Sequence, residues 1–288
     1  MTDYRLFADA ACDIPESLLN EWGVSMIDMT FRFEGEEEQF NGDVAAPDFY
    51  QKMRDGACSR TAAINSETFK ETFRPVLEAG EDLVYIAFSS GLSTTYAQAV
   101  MTARSLKKEY PERTILVTDS LAASGGYGLL VYLTAKKKQE GVTKEELVRY
   151  VEETRLSVCH WFTVDDLVYL KRGGRVSPTV ALVGTVLGIK PVLHVDNEGH
   201  LINVSKARSR KRSLKALAEA FAESAVDPKT GPVFISHGDC EEDAIALAEM
   251  VKEISGGREV DLTTFIGPVI GSHSGPGTMA LFFLGKQR

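Results

Sequence analysis

The stretch SSGLSTTYAQA, residues 89–99, concentrates small hydroxyl side chains around one glycine. It follows an apolar run of strand length, residues 82–88, and precedes apolar residues at helical spacing. A turn that leads from a strand into a helix offers free backbone N–H groups and the positive end of the helix dipole, and both favour anions. The stretch therefore predicts either an anion site at its hydroxyls or an ordinary helix cap that holds no ligand.

Other residues with suitable chemistry occur at strand ends and in a glycine-rich loop. Asp9 and Asp119 each end a predicted strand, at the edge where the hydroxyl stretch lies, although such aspartates more often form caps and turns. His273 lies in a loop framed by glycines between apolar runs. Together with Ser93 these are the residue types of a hydrolase triad, but the G-x-S-x-G sequence is absent. A serine hydrolase is therefore a secondary hypothesis.

Metal and nucleotide sites find little support in the sequence. The cysteines stand singly, and the histidines lack the spacing of metal ligands. The sequence GGYG, residues 125–128, falls inside a helical pattern and lacks both the G-x-G-x-x-G spacing and a Walker lysine. We therefore expect neither a metal nor a cofactor.

Composition narrows the class of protein. The 288 residues are 44% apolar and 25% charged, and the formal net charge of −9 argues against a general nucleic-acid binder. One basic segment, residues 205–215, is either a solvated helix face or a docking surface for an acidic partner. No apolar run has the length of a membrane helix and no signal-peptide pattern is visible, so the expected location is the cytoplasm.

Strand and helix patterns alternate in the first half of the chain. Strands are predicted at residues 4–9, 24–33 and 82–88, and a long helix is predicted over residues 122–140. Such alternation predicts an α/β fold with a mostly parallel sheet.

The pattern changes in the second half. The sequence DNEG, residues 196–199, separates two alternating runs and predicts a hairpin, and a helix is predicted over residues 211–225. We therefore expect two domains, an N-terminal α/β domain at 1–157 and a C-terminal α+β domain at 158–288.

Several stretches together resemble the DegV family of fatty-acid-binding proteins, which present an acyl chain to a fatty acid kinase. They span nearly the whole chain in the family's order: ADAACDIP, SSGLSTTYAQA, VDDLVYLKRGGRVS, GIKPVL and IGPVIGSHSGPG. The resemblance implies an α/β domain joined to an α+β domain, with a buried lipid whose carboxylate lies near the junction.

The resemblance also implies a ligand site. Thr61 and Ser93 would hydrogen-bond the carboxylate, His273 would lie beside it, and Gly91 and Thr94 would belong to the same site. The bound fatty acid would be the sole ligand.

This sequence departs from the family's pattern at four positions. Ala10 replaces the usual serine after the first strand, and Ala62, Ala63 and Ile64 replace a Ser-Gln-Pro stretch. Head-group donors are therefore missing, and the chain is alternatively a lipid-binding paralogue with a sensor or scaffold role.

Basic residues would serve the encounter with the kinase. By resemblance the candidates are Arg172, Arg208 and Arg210. Phosphoryl transfer would then belong to the partner, so we expect a carrier and not an enzyme.

Overall fold

The computed structural model describes residues 4–176 and 188–288. Its strands are β1 (Tyr4–Asp9), β2 (Val24–Ile27), β3 (Thr30–Phe33), β4 (Gln39–Phe40), β5 (Ser59–Thr61), β6 (Asp82–Ala87), β7 (Ile115–Asp119), β8 (Val158–Thr163), β9 (Ile189–Val195), β10 (Leu201–Arg208), β11 (Val233–His237), β12 (Leu262–Phe265) and β13 (Met279–Leu284). Its α-helices are α1 (Glu16–Glu21), α2 (Ala46–Arg54), α3 (Ser66–Glu78), α4 (Thr95–Glu109), α5 (Ser124–Gln139), α6 (Lys144–Thr154), α7 (Val168–Arg172), α8 (Arg210–Ser224), α9 (Glu241–Ile254) and α10 (Pro268–Ser274).

The first sheet is parallel and has the order β2-β1-β6-β7. Its central strand β6 is buried from Leu83 to Ala87, as expected for a strand covered by helices on both faces. Phe69 and Phe73 of α3 pack against Tyr85 of this strand. Because the strands alternate with helices along the chain, the predicted α/β class is confirmed.

The second sheet is mixed and has the order β10-β9-β8-β13-β11-β12. Its pairs are antiparallel except for β11 and β12, which run parallel. Leu217 and Phe221 of α8 and Leu247 of α9 belong to the hydrophobic cluster on one face of this sheet. The hairpin predicted at DNEG is confirmed, since β9 and β10 pair on either side of it.

Residues 24–33 do not form the single strand that the apolar pattern predicts. The chain leaves the first sheet after Ile27, and Thr30–Phe33 pairs instead with β4 and β5 in a small antiparallel sheet. At the break, the Asp28 carboxylate accepts a hydrogen bond from the Met29 N–H at 2.8 Å, which removes that donor from strand pairing. This small sheet carries Thr61 in β5.

Helix α5 packs directly against the second sheet at Gly125 and Gly126, and against the turn after β1 at Gly128. A Cβ at Gly126 would overlap the rings of His160 and Phe282, and one at Gly128 would lie 2.7 Å from the Cys12 carbonyl oxygen. The GGYG sequence therefore serves close packing within a helix and does not form a phosphate loop. The boundary expected after residue 157 remains a prediction.

None of the helices within residues 4–176 and 188–288 has both the length and the apolar character needed to cross a membrane.

Adding one methyl group at the α5 contact tests this packing. We expect Gly126→Ala to lower the free energy of unfolding by about 1 to 3 kcal/mol, because the new Cβ has no free space. Gly42→Ala is the matched control: no atom lies within 4 Å of its added Cβ, so the change should stay within about 0.5 kcal/mol. Urea unfolding of both variants measures the difference, and equal values would contradict the packing argument.

Candidate functional site

A cavity of about 490 Å³ lies between the loops of the first sheet and the inner face of the second sheet. Its wall is mostly apolar. The side chains that form it include Phe88, Leu92, Phe162, Val269, Ile270 and Phe282. A cavity of this volume and lining accommodates a small, largely apolar ligand.

Polar groups gather in one part of the wall. Thr61, Ser93, Thr94, Arg175 and His273 all line the cavity. His273 hydrogen-bonds to Thr61, and Arg175 donates from Nε to the carbonyl oxygen of Leu92, the residue before Ser93, at 3.2 Å. Of the lining residues in the described part of the chain, Arg175 alone has a permanently charged side chain. This part of the wall therefore suits an anion.

His273 is held in its neutral form. Its Nε2 lies 2.8 Å from Thr61 Oγ1, and its Nδ1 is buried against Gly173 without a hydrogen-bond partner among the described residues. Burial, and next the nearby positive charge of Arg175, lower the pKa of His273 from 6.5 to about 4. Gly173 must lack a side chain here, because a Cβ would overlap the imidazole.

The loop before α4 combines capping with exposed hydroxyl groups. Ser93 Oγ accepts a hydrogen bond from the Thr95 N–H at 3.2 Å and lies 2.9 Å from Thr95 Oγ1. Thr95 Oγ1 also accepts the Ile64 N–H at 3.3 Å, which ties this loop to the segment that follows Thr61. Thr94 occupies the N-cap position, but its side chain makes no cap bond. Ser93 therefore caps the helix and also faces the cavity.

Gly91 has a structural role as well as its place in the cavity wall. The tip of the β9–β10 hairpin docks on the hydroxyl stretch, with the Ser89 hydroxyl donating to the Gly199 carbonyl oxygen at 3.0 Å. A Cβ at Gly91 would lie 2.8 Å from the backbone oxygens of Glu198 and Gly199. Part of the hydroxyl stretch thus joins the two sheets.

The aspartates considered for a hydrolase triad point elsewhere. Asp9 is fully buried, and its carboxylate accepts hydrogen bonds from the Tyr85 hydroxyl at 2.6 Å and from the Phe88 N–H at 2.9 Å. Asp119 accepts from the Ser90 N–H at 3.1 Å. Neither carboxylate bonds to His273 in the described structure, so these residues do not assemble a triad. Both aspartates hold the backbone of the loop that carries the hydroxyls.

Helix α10, which carries His273, is anchored by residues from the first half of the chain. The Asp13 carboxylate accepts the Gly267 N–H at 2.9 Å and the Ser124 hydroxyl at 2.5 Å. The side-chain oxygen of Asn41 accepts the Val269 N–H at 2.9 Å. Burial raises the pKa of Asp13 from 3.8 to about 7. These bonds set the position of α10 against the first sheet.

The basic residues predicted for docking differ in their surroundings. Arg172 and Arg208 are exposed. Arg210 is largely buried, and its Nε donates to Asp243 at 2.8 Å. The ion pair makes Arg210 part of the packing between α8 and α9. Sequence reasoning missed Arg175, although it is the second arginine of the same KRGGR motif as Arg172.

The departures at positions 62–64 leave one side of the site without side-chain donors. Ala62 and Ala63 line the cavity with methyl groups. Ile64 is buried and contributes only its backbone N–H, to Thr95. Among the residues that the structure describes, no group of three His, Cys, Asp or Glu is arranged to hold a metal ion.

Comparison with known proteins identifies the family. The sequence model of the family described as "Uncharacterised protein, DegV family" matches residues 4–286 of this chain. The chain belongs to the DegV family. The resemblance seen in its motifs is therefore confirmed.

Relatives and solved structures of the DegV family match this chain along its length. The DegV domain-containing protein CPE0026 of Clostridium perfringens is 40% identical and covers 100% of this chain and 99% of its own length. A fatty-acid-binding DegV family protein from Thermus thermophilus is 29% identical, with a TM-score of 0.86 over 98% of this chain and 99% of that one. A DegV lipid-binding protein from Thermotoga maritima is 26% identical, with a TM-score of 0.84 over 99% of each chain.

Titration of His273 checks the electrostatics of the site. Its pKa is about 4 when folded and 6.5 otherwise, so between these values the unfolded chain binds more protons. The stability from the neutral, buried ring is therefore present above pH 6.5 and is lost as the pH falls towards 4. We expect the His273 ring signals in NMR spectra to stay those of a neutral imidazole down to about pH 4.

Replacing the nearby charge provides the control for this titration. Arg175→Gln should raise the pKa of His273, because it removes the positive charge that disfavours protonation. An unchanged titration would show that Arg175 does not act on the ring.

Proposed function

We propose that this protein binds a long-chain fatty acid, with the acyl chain in the apolar cavity and the carboxylate at Thr61 and Ser93. The observation that carries the proposal is the cavity itself, whose wall is apolar except for one group of hydroxyls, a neutral histidine and an arginine. Each methylene transferred from water into such a wall contributes about 0.8 kcal/mol. The Thermus and Thermotoga neighbours, which bind fatty acid and lipid respectively, support the same ligand class.

Thr61 is suited to donate to a carboxylate because of its bond with His273. A neutral imidazole carries one N–H, and among the described residues His273 has an oxygen within reach only at Nε2. We assign the proton to Nε2, which then donates to Thr61 Oγ1 and leaves the threonine's own proton for the ligand. Hydrogen bonds to a charged group are the stronger kind.

The N-terminus of α4 adds to the attraction for an anion. Thr94 is its N-cap residue and Ser93 directly precedes it, at the end where the helix dipole is positive. Arg175 supplies a full positive charge nearby, and its own hydrogen bonds go to backbone oxygens of Leu92 and Gly173. The carboxylate would therefore meet hydroxyl donors first, with the cation beside them.

Direct identification of the ligand tests the proposal. The purified protein is denatured and extracted, and the extract is analysed by mass spectrometry. A fatty acid in stoichiometric amount is the expected result. If the extract contains none and the stripped protein takes up no added fatty acid, the proposal is wrong.

Loss of both proposed donors should weaken binding without unfolding the protein. We expect Thr61→Ala combined with Ser93→Ala to weaken the binding of a fluorescent fatty acid, because each lost bond to a charged group is worth about 1.5 to 3 kcal/mol. Ser59→Ala is the control, since Ser59 is on the same strand but donates to Ser272 at 2.7 Å. Fluorescence titration measures all three proteins, and equal affinities would exclude this anchor.

We further propose that the bound fatty acid is presented to a fatty acid kinase. Exposed Arg172 and Arg208 are the docking candidates that support this proposal. Arg210 is a poorer candidate because its guanidinium is paired with Asp243. The kinase would supply ATP and catalyse phosphoryl transfer to the carboxylate.

Charge reversal tests the docking surface. Arg172→Glu combined with Arg208→Glu should abolish acyl-phosphate formation by the cognate kinase while fatty acid binding stays normal, because like charges across an interface cost several kcal/mol. Arg104→Glu with Arg149→Glu is the control, since it changes the net charge equally at exposed positions on α4 and α6. Undiminished phosphorylation of the first variant would remove the docking proposal.

A further inference from the structure

Ser274 is a buried hydroxyl residue in the cavity wall. The residue is 6% exposed, and its Oγ has no hydrogen-bond partner among the residues that the structure describes. It lies at the C-terminal end of α10, directly after His273. A buried hydroxyl without a partner costs free energy, because it has lost its hydrogen bonds to water.

Neighbouring hydroxyls are already bonded. Thr278 Oγ1 donates to the carbonyl oxygens of Ser274 and Gly275, at 3.0 and 2.8 Å. Ser272 Oγ donates to the Pro268 carbonyl oxygen at 2.7 Å and accepts from Ser59. Among the described residues, the Ser274 hydroxyl therefore has no acceptor, whereas the hydroxyls of Ser272 and Thr278 both donate within the protein.

The periodicity of α10 turns Ser274 towards the cavity. Val269, Ile270, His273 and Ser274 line it, at positions i, i+1, i+4 and i+5, which lie on one face of a helix. Consecutive residues differ by about 1.5 Å along the helix axis. Ser274 is therefore the neighbour of His273, the hydrogen-bond partner of Thr61, in the cavity wall.

We propose that Ser274 is an additional head-group donor, whose enclosed hydroxyl rotates about the Cα–Cβ bond into the cavity when the ligand binds and donates to an oxygen of the fatty acid carboxylate. This inference rests on the proposed function. A carboxylate has two oxygens and accepts several hydrogen bonds. Ser274 makes up for donors that Ala62 and Ala63 cannot supply on the other side of the site. In this proposal the carboxylate is the hydrogen-bond partner that the Ser274 hydroxyl lacks among the described residues.

The test compares variants of the full chain after bound lipid has been removed. Ser274→Ala should weaken the binding of palmitic acid about tenfold or more. Its ligand-free melting temperature should equal or exceed that of the wild type, because the variant lacks an unsatisfied buried hydroxyl. Ser274→Thr keeps the hydroxyl and should retain most of the affinity.

Ser272→Ala is the matched control on the same helix. Its hydroxyl is bonded within the protein, so this variant should melt at a lower temperature than the wild type and bind palmitic acid with unchanged affinity. The two alanine variants thus separate a hydroxyl that serves the ligand from one that serves the fold.

Three outcomes would overturn the inference. The first is equal affinity of the wild type and Ser274→Ala, and the second is a loss of affinity that accompanies a lower ligand-free melting temperature. The third is a loss confined to 12-hydroxystearic acid, with stearic acid unaffected, which would assign Ser274 to the acyl chain. A wild-type protein that binds none of these acids would instead overturn the proposed function.

Discussion

The hydrogen bond from the Gly267 N–H to the buried Asp13 carboxylate sets the position of the candidate site. It joins the start of α10 to the turn that follows β1, two segments 254 residues apart in sequence. The same carboxylate accepts the Ser124 hydroxyl at the start of α5. Helix α10 carries His273. The hydrogen bond between His273 and Thr61 therefore depends on the bond by which Asp13 anchors this helix. Burial disfavours the charged form of this carboxyl group and raises the pKa of Asp13 to about 7.

Two further contacts close the cavity around this anchor. Gly125 and Gly126 of α5 let the helix pack directly on Phe282, which lines the cavity. The hairpin between β9 and β10 docks through Gly199 on Ser89, beside the loop that carries Ser93. The cavity is therefore a product of the contact between the sheets, and neither sheet encloses it alone. Gly125 and Gly126 are required by space, whereas Gly199 is required both by space and by its positive φ of 80°.

The electrostatics of the site follow from how little charge it contains. Burial and the positive charge of Arg175 keep His273 neutral. Asp9 and Asp119, at the ends of their strands, accept hydrogen bonds from a tyrosine hydroxyl and from backbone N–H groups. Among the described residues, the polar side chains that line the cavity are hydroxyl groups, His273 and the cationic Arg175. Such a set stabilises an anion while the remaining wall stays apolar, which matches the two chemically different ends of a fatty acid. The alanines at positions 62 and 63 line the cavity without adding a side-chain donor.

The sequence by itself determined the local elements and the family. The apolar run of β6, the helical spacing after Thr95 and the hairpin at residues 196–199 depend on neighbouring residues, and the family motifs pointed to Thr61, Ser93 and His273. Only the tertiary structure decided that residues 24–33 divide between two sheets, that Asp9 and Asp119 hold backbone instead of a catalytic histidine, and that Arg175 and Ser274 line the cavity. The physical reason is that hydrogen-bond partners and burial arise from contacts between distant segments, which periodicity does not encode.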